Sequence, residues 1–332
     1  MTAPPLSCLA ADDAVVEHLG PAAGWARLRA LQIRSPWRGR AVWAVFRPGD
    51  RAPAVVVKID VDPGSQVRLR NEHAALTALQ HHAGVQHSVP RPVALQTRGA
   101  SVVLVQTGVA GTSLAHLGRR RLRPSLRHAA REHAAVLDWI GRLQSTDGAE
   151  HRRLDADSIL CRIDALGAKA QRLADRLRAS RTAWDGLPVP VVPGHGDLAP
   201  GNVLWDRGAV KVVDWEGGVA RRSALSDVVY FLQHHARRRE AAGRQRRTAR
   251  AGFRAAFVEG PLSALSAATL RRHVTRLALP AEATEALFVA TVLELADGEG
   301  AAAHASLLRT AWTEHLRTYA GAKRPPLAQM LD

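Results

Sequence analysis

The sequence has little cysteine, little lysine and no long apolar run. Cys8 and Cys161 are the only cysteines in 332 residues. Two such distant thiols make neither a disulfide framework nor a metal pattern, which fits a reducing cytosol and a cytoplasmic protein. No apolar run approaches the roughly 18 to 20 residues of a membrane span. The opening MTAPPLSCLAADD has no basic stretch followed by an apolar one, so neither a membrane anchor nor a signal peptide is expected. Only Lys58, Lys169, Lys211 and Lys323 are lysines, so the formal net charge of +16 rests almost wholly on arginine. Aromatics make up 5% of the chain, and with so little aromatic interleaving among the basic residues no nucleic-acid partner is expected. No His-x3-His with acid support occurs. The adjacent pairs His81-His82 and His234-His235 do not point to one helix face, so the fifteen histidines are expected at the surface. Internal repeats and low-complexity segments are also absent.

What remains is an ordinary globular composition, 46% apolar and 23% charged, in a chain long enough for one or two domains. The basic excess suits acidic substrates, or it reflects codon usage that favours Arg and Ala. Apart from Arg237-Arg238-Arg239 and Arg244-Gln245-Arg246-Arg247 the positive residues are scattered.

The chain is organised around Pro193 to Gly218, PGHGDLAPGNVLWDRGAVKVVDWEGG. Val203 to Trp205 and Ala209 to Val213 are short apolar runs, joined by Asp206-Arg207-Gly208, which is turn chemistry. The pattern is that of a β-hairpin. It would set Asn202, at the start of one strand, beside Asp214, at the end of the other. Two oxygen side chains at one hairpin mouth suit a hard divalent cation such as Mg2+. Asp197, on the loop before, would reach the same mouth and could take a proton.

This set resembles the catalytic centre of the aminoglycoside phosphotransferase and choline kinase-like superfamily, whose fold is that of protein kinases. The family pattern is His-x-Asp-x4-Asn followed by a metal-binding Asp, and it reads here as His195, Asp197, Asn202 and Asp214. A plain surface hairpin would not need His-Gly-Asp upstream of it. The resemblance implies a catalytic Asp197 with His195, and Asn202 and Asp214 as metal ligands. Asp-Trp-Glu stands where protein kinases have Asp-Phe-Gly, and Glu216 either assists the metal or faces solvent.

Upstream, residues 1–20 are expected to be a loosely held lead-in. Arg27 to Ile33 and Ala41 to Phe46 are predicted strands. Between them, residues 35–40 occupy the place of the loop over the ATP phosphates, with Gly39 but no Gly-x-Gly-x-x-Gly. Ala54 to Ile59 is a strand of buried type that carries Lys58. A lysine there is costly unless paired. It either snorkels from an edge strand or, as the resemblance implies, holds the α- and β-phosphates of ATP. A helix over 66–81, with Ser65 as its N-cap, carries Glu72, which pairs with Lys58 or, on the surface, with Arg68. Val93 to Gln96 and Ser101 to Gln106 complete five strands. Thr107 and Val109 then match the interlobe hinge, whose backbone binds adenine in the family.

From Gly111 the pattern turns helical, with helices over 124–144 and 158–179, a linker over 181–190, and three or four more helices from 251 to 320. Arg237 to Arg250 reads as a basic helix face or loop. Asp227, at the start of a helix, either braces the catalytic loop or favours the helix dipole. Together these imply an α+β, bilobal protein-kinase-like fold. Residues 1–107 form a nucleotide-binding lobe with a five-stranded antiparallel sheet and one helix. Residues 108–332 form a helical lobe with the catalytic hairpin 193–218 and the acceptor site. The activity implied is an ATP- and Mg2+-dependent phosphotransfer to a hydroxyl of a neutral or anionic small molecule. Inactivation of an antibiotic is the alternative within the family, and a pseudokinase or basic scaffold is the alternative outside enzymes.

Overall fold

The structure is a computed structural model, and it describes residues 13–20, 28–37, 40–120, 125–145, 150–240, 248–297, 302–322 and 325–328. Along the chain run α1 (Asp13–Leu19), β1 (Arg29–Trp37), β2 (Arg40–Phe46), β3 (Val55–Asp60), α2 (Pro63–Leu79), β4 (Pro92–Arg98), β5 (Ser101–Thr107) and β6 (Thr112–Ser113). There follow α3 (Leu114–Arg120), α4 (Leu126–Gln144), β7 (Glu150–Arg153), α5 (Ala156–Asp164), α6 (Gln171–Ala179), β8 (Pro188–Gly194), β9 (Val203–Asp206) and β10 (Ala209–Val212). The chain continues through β11 (Ala220–Ser223), α7 (Ser226–Glu240), α8 (Ala249–Phe257), α9 (Pro261–Arg276), α10 (Thr284–Asp297) and α11 (Ala302–Ala320). The class is α+β, with a β-rich first part and a helical second part.

Contacts divide the chain into two units, Met1–Ser113 with Asn202–Val219, and Leu114–Gly201 with Ala220–Asp332. The break therefore falls at 113/114 rather than at 107/108, and the hairpin groups with the first unit. The reason is backbone pairing: β9 bonds both β10 and the short β6, with Thr112 opposite Trp205.

The first unit holds a five-stranded sheet, ordered β1-β2-β3-β5-β4 and antiparallel throughout. Strand side chains alternate between faces. One face carries Val45, Val55, Val57 and Val105, and α1 covers it with Val15 and Leu19, so residues 13–19 are a packed helix and not a loose lead-in. On β3 the opposite face takes Lys58 and Asp60, and there α2 packs Leu69 beside Val102 and Leu104. Helix α2 begins at Pro63, so Ser65 lies inside its first turn and not at the N-cap. Pro suits a first helical turn because its missing N–H has no partner there anyway. Residues 35–37 continue β1 as strand, while Arg38 and Gly39 of the expected phosphate loop lie outside the described residues. The β9–β10 turn has two residues, not three. Arg207 and Gly208 both take positive φ, 50° and 95°, which matches the twist of the flanking strands.

The second unit carries a three-stranded antiparallel sheet, ordered β11-β8-β7. Strands β7 and β11 were not expected: four residues rich in Arg carry no apolar alternation. The single helix expected over 158–179 is two helices, broken at Gly167 with φ 87°. Its aromatic core gathers Phe253, Phe257, Phe288, Trp312 and Tyr319. The histidines are not all at the surface: His133, His195, His235, His273 and His315 are buried. His235 bonds Glu132 at 2.7 Å and His133 at 3.1 Å, and His133 bonds Thr269 at 3.2 Å. A ring with two hydrogen-bonding nitrogens satisfies facing helices from inside, and no sequence period reports that.

Candidate active site

The expected site residues fall into two sets, one in each unit. In the first unit, β3 is interior to the sheet, so Lys58 cannot snorkel from an edge. Its Nζ donates to both oxygens of Glu72 at 2.8 and 2.7 Å, and to Asp214 Oδ1 at 2.5 Å. Glu72 is fully buried on α2, three residues after Leu69 on the same helix face, which excludes a surface pair with Arg68. Burial by itself would lower the ammonium's pKa, but Asp214, Glu72 and Glu216 outweigh it and hold it above the ordinary lysine value.

Two further residues enlarge this cluster. Arg40 on β2 stands directly opposite Asp60 on β3 and donates Nε to its carboxylate at 2.8 Å. The same guanidinium bonds Glu216, whose carboxylate also lies 3.7 Å from Lys58. Glu216 thus faces the cluster while keeping partial exposure to solvent. Arg40 and Asp60 escaped the sequence reading. The signal was their register: with Lys58 they occupy one face of two paired strands. Among the described residues, the four carboxylates of Asp60, Glu72, Asp214 and Glu216 meet two cations, Lys58 and Arg40, an excess of two negative charges. Burial, and the charge of Asp214, push the Glu72 carboxyl up against the opposing pull of Lys58.

This donor set fits a divalent cation. Carboxylate oxygens of Glu72, Asp214 and Glu216 lie within 4.8 Å of one another. Of these, Glu72 has Lys58 on both oxygens and serves the lysine, whereas Asp214 and Glu216 keep partial exposure. At the hairpin mouth Val213 donates its N–H to Asn202 O at 3.0 Å, which sets Asn202 next to the turn into Asp214. Asp214 itself takes φ 72°, a left-handed conformation rare for a non-glycine residue and of the kind held at functional sites. Trp215, fully buried behind it, anchors that turn.

At the end of β5, in the expected hinge, Thr107 donates its N–H to Arg91 O at 2.8 Å. Gly108 packs so closely on Pro53 that a Cβ would meet the carbonyl oxygen at 1.8 Å. Val109 follows, half-buried and outside the sheet.

In the second unit, β8 delivers the chain into His195-Gly196-Asp197. Buried Asp227, in the first turn of α7, accepts the N–H of His195 at 2.6 Å and of Gly196 at 2.9 Å. The loop is therefore braced by a side chain, beyond any dipole effect. His195 accepts the Asp197 N–H on Nδ1 at 3.2 Å, which leaves its ring proton on Nε2. Asp197 is exposed, and Tyr230 donates its phenol to Oδ1 at 2.7 Å. Burial, then the charge of Asp197, raise the Tyr230 pKa well above its ordinary value, so the phenol stays a donor. Tyr230 was also missed. It lies three residues after Asp227 on α7, one turn along the same face.

A profile of the phosphotransferase enzyme family matches residues 29–265, most of the chain and both sets of residues. The chain belongs to the phosphotransferase enzyme family. No curated protein matches the sequence. Among solved structures, wild-type aminoglycoside 2'-phosphotransferase-IIIa in its GDP complex is 14% identical, with 88% of this chain and 92% of that one covered and a TM-score of 0.45. Macrolide 2'-phosphotransferase MphH from Brachybacterium faecium is 18% identical, covering 94% and 97%, at 0.41. Amicoumacin kinase hAmiN, in complex with AMP-PNP, Ca2+ and Ami, is 11% identical, covering 94% and 95%, at 0.42. The chain is a phosphotransferase-family protein of the α+β class. Among its described residues no helix is long and apolar enough to cross a membrane.

Proposed function

We propose that the protein is an ATP- and Mg2+-dependent small-molecule kinase that transfers the γ-phosphoryl group to a hydroxyl of a neutral or anionic acceptor. The observation that carries this reading is the charge balance of the first unit's cluster, two negative charges in excess around two cations among the described residues. A divalent cation supplies that missing charge and, when bound, neutralises charge on the phosphates. Asn202 and Asp214 would hold it, with Glu216 as a further oxygen ligand. Lys58, oriented by Glu72, would hold the α- and β-phosphates, and the Thr107 carbonyl and Val109 N–H would take adenine. Asp197 would orient the acceptor hydroxyl and accept its proton, with Tyr230 fixing the rotamer and Asp227 the loop. Catalysis of this kind rests on positioning and on charge neutralisation. A non-catalytic scaffold has no need of Asp197, Asn202 and Asp214 together.

Three acids of the late helices support this acceptor charge. A polycationic acceptor needs free carboxylates. Glu285 is buried between Arg176 and Tyr319, Glu294 is held by Arg152 and the Ser223 N–H, and Asp297 is held by both terminal nitrogens of Arg162. An ATP-dependent screen over sugars, amino alcohols, sugar phosphates and antibiotics tests the reading. Mg2+-dependent phosphorylation of an uncharged or anionic hydroxyl compound supports it. Efficient turnover of kanamycin-type compounds would transfer the assignment to antibiotic inactivation, and MgATP binding without turnover on any acceptor would favour a scaffold.

A further inference from the structure

The second unit contains a cavity of about 510 Å³, of a size suited to a small molecule, lined by Arg152, Arg153, Arg162, Arg221 and Arg222. Three acids also line it, and each is engaged. Asp155 caps α5 through the Ser158 N–H, Glu294 pairs with Arg152, and Asp297 pairs with Arg162. Arg221 is taken by Glu150 outside the cavity at 3.2 Å. Arg153 donates to the Gly186 carbonyl, and among the described residues neither it nor Arg222 has a carboxylate partner. The lining therefore has positive charge to spare.

Arg222 sets the direction of the site. It sits on β11 with Nε buried and without a hydrogen-bond partner, a donor that is costly to leave unmade. Its guanidinium lies against Gly196, so close that a Cβ there would come within 2.9 Å of Nη2. Gly196 is the residue before Asp197. Arg222 thus joins the cavity lining to the loop that carries Asp197.

We propose that this cavity binds an oxyanion carried by the acceptor, a phosphate monoester or a carboxylate, and so presents a hydroxyl of the same molecule to Asp197. This deepens the kinase reading and rests on it. Planar guanidinium forks match the geometry of phosphate and carboxylate. Two unneutralised forks, one with a buried unmatched donor, select an anionic acceptor over a neutral one.

Calorimetry on the full chain without nucleotide tests the site separately from turnover. The probes are glycerol 3-phosphate, ribose 5-phosphate and glucose 6-phosphate, each against its unphosphorylated parent, together with inorganic phosphate. The expected result is at least one phosphate ester binding about tenfold or more tighter than its parent, a gap of the size charge-assisted bonds supply. That preference falls in Arg222→Gln and in Arg153→Gln, while MgATP still binds both variants. Arg153 is exposed on β7, so its variant reads the site even where Arg222→Gln fails to fold. Equal affinity for every ester and its parent overturns the proposal, as does an unchanged preference in Arg153→Gln and any folded Arg222→Gln. Inorganic phosphate binding as tightly as the best ester also overturns it, since the cavity would then read a free anion. Absence of MgATP binding in the wild type would sink the kinase reading instead and leave the calorimetry to stand alone.

Discussion

Replacing Lys58 by methionine is the sharpest perturbation of the first unit. The ammonium has three bonds under 3 Å, two to Glu72 and one to Asp214, and Glu72 has no solvent contact. Removing it leaves that carboxylate buried without its partner. Breaking a buried ion pair in this way costs about 3–5 kcal/mol, where replacing both partners costs far less. In a domain of this size that loss corresponds to roughly 6–20 °C in melting temperature. The pH dependence has a definite sign. Burial already raises the Glu72 carboxyl above its ordinary 4.5, and without Lys58 the pull that opposes the rise is gone. A carboxyl with a raised folded pKa contributes stability that is complete below about pH 4.5 and is lost as pH rises through the folded value. Relative to wild type, Lys58→Met should therefore be most destabilised near pH 8 and less so near pH 5. Lys58→Met with Glu72→Gln should recover most of the loss, because no buried charge is left over. Thermal melts of the three proteins across that range decide it. A drop at pH 8 equivalent to less than about 1 kcal/mol would refute the reasoning, since a pair worth so little behaves as an exposed one. A double variant no more stable than the single one would do the same.

Asp197→Ala should lose roughly 10²- to 10⁴-fold in turnover while MgATP binding stays near wild type; turnover within twofold in a folded variant removes the base from this residue. Asp214→Ala should raise the Mg2+ needed for half-maximal rate as well as lower the rate, which a Mg2+ titration at fixed ATP reads, and an unchanged requirement places the metal elsewhere. Asp227→Asn keeps one acceptor for two N–H groups, so it should cost about 1–3 kcal/mol and lower kcat more than it changes the MgATP affinity; full activity would show that the loop holds without the brace. Burial depresses His234, His273 and His315 to about 4, and it also lowers His133 and His235. Stability from these rings is present above pH 6.5 and is lost as pH falls toward 4, so the melting temperature should drop across that window. A flat profile there would mean the rings are charged or exposed.

The hairpin and its flanking residues were legible because their chemistry is local. His195-Gly196-Asp197, Asn202 and Asp214 lie within 20 residues along the chain, and turn residues between two apolar runs specify a hairpin from short-range sterics. The five strands and α2 were legible because apolar period reports burial. Even there the ends moved: β1 runs on through residues 35–37 because backbone pairing with β2 continues past the apolar residues.

Sequence by itself determined that Lys58, inside a β-branched run, needed a carboxylate, and that Asp197, Asn202 and Asp214 lie in one short stretch of chain. Tertiary structure alone decided which carboxylates met. Cross-strand register placed Arg40 against Asp60, and the face of α2 that packs on the sheet brought Glu72 to Lys58 from 14 residues away. One turn of α7 gave Asp227 to the loop backbone and Tyr230 to Asp197. Strands β7 and β11 collected arginines whose chain positions lie about 70 residues apart into one cavity. The physical reason is common to all of these. Burial cost falls on single residues and shows in the sequence, whereas the compensating charge comes from whichever element packs opposite, and only the fold specifies that.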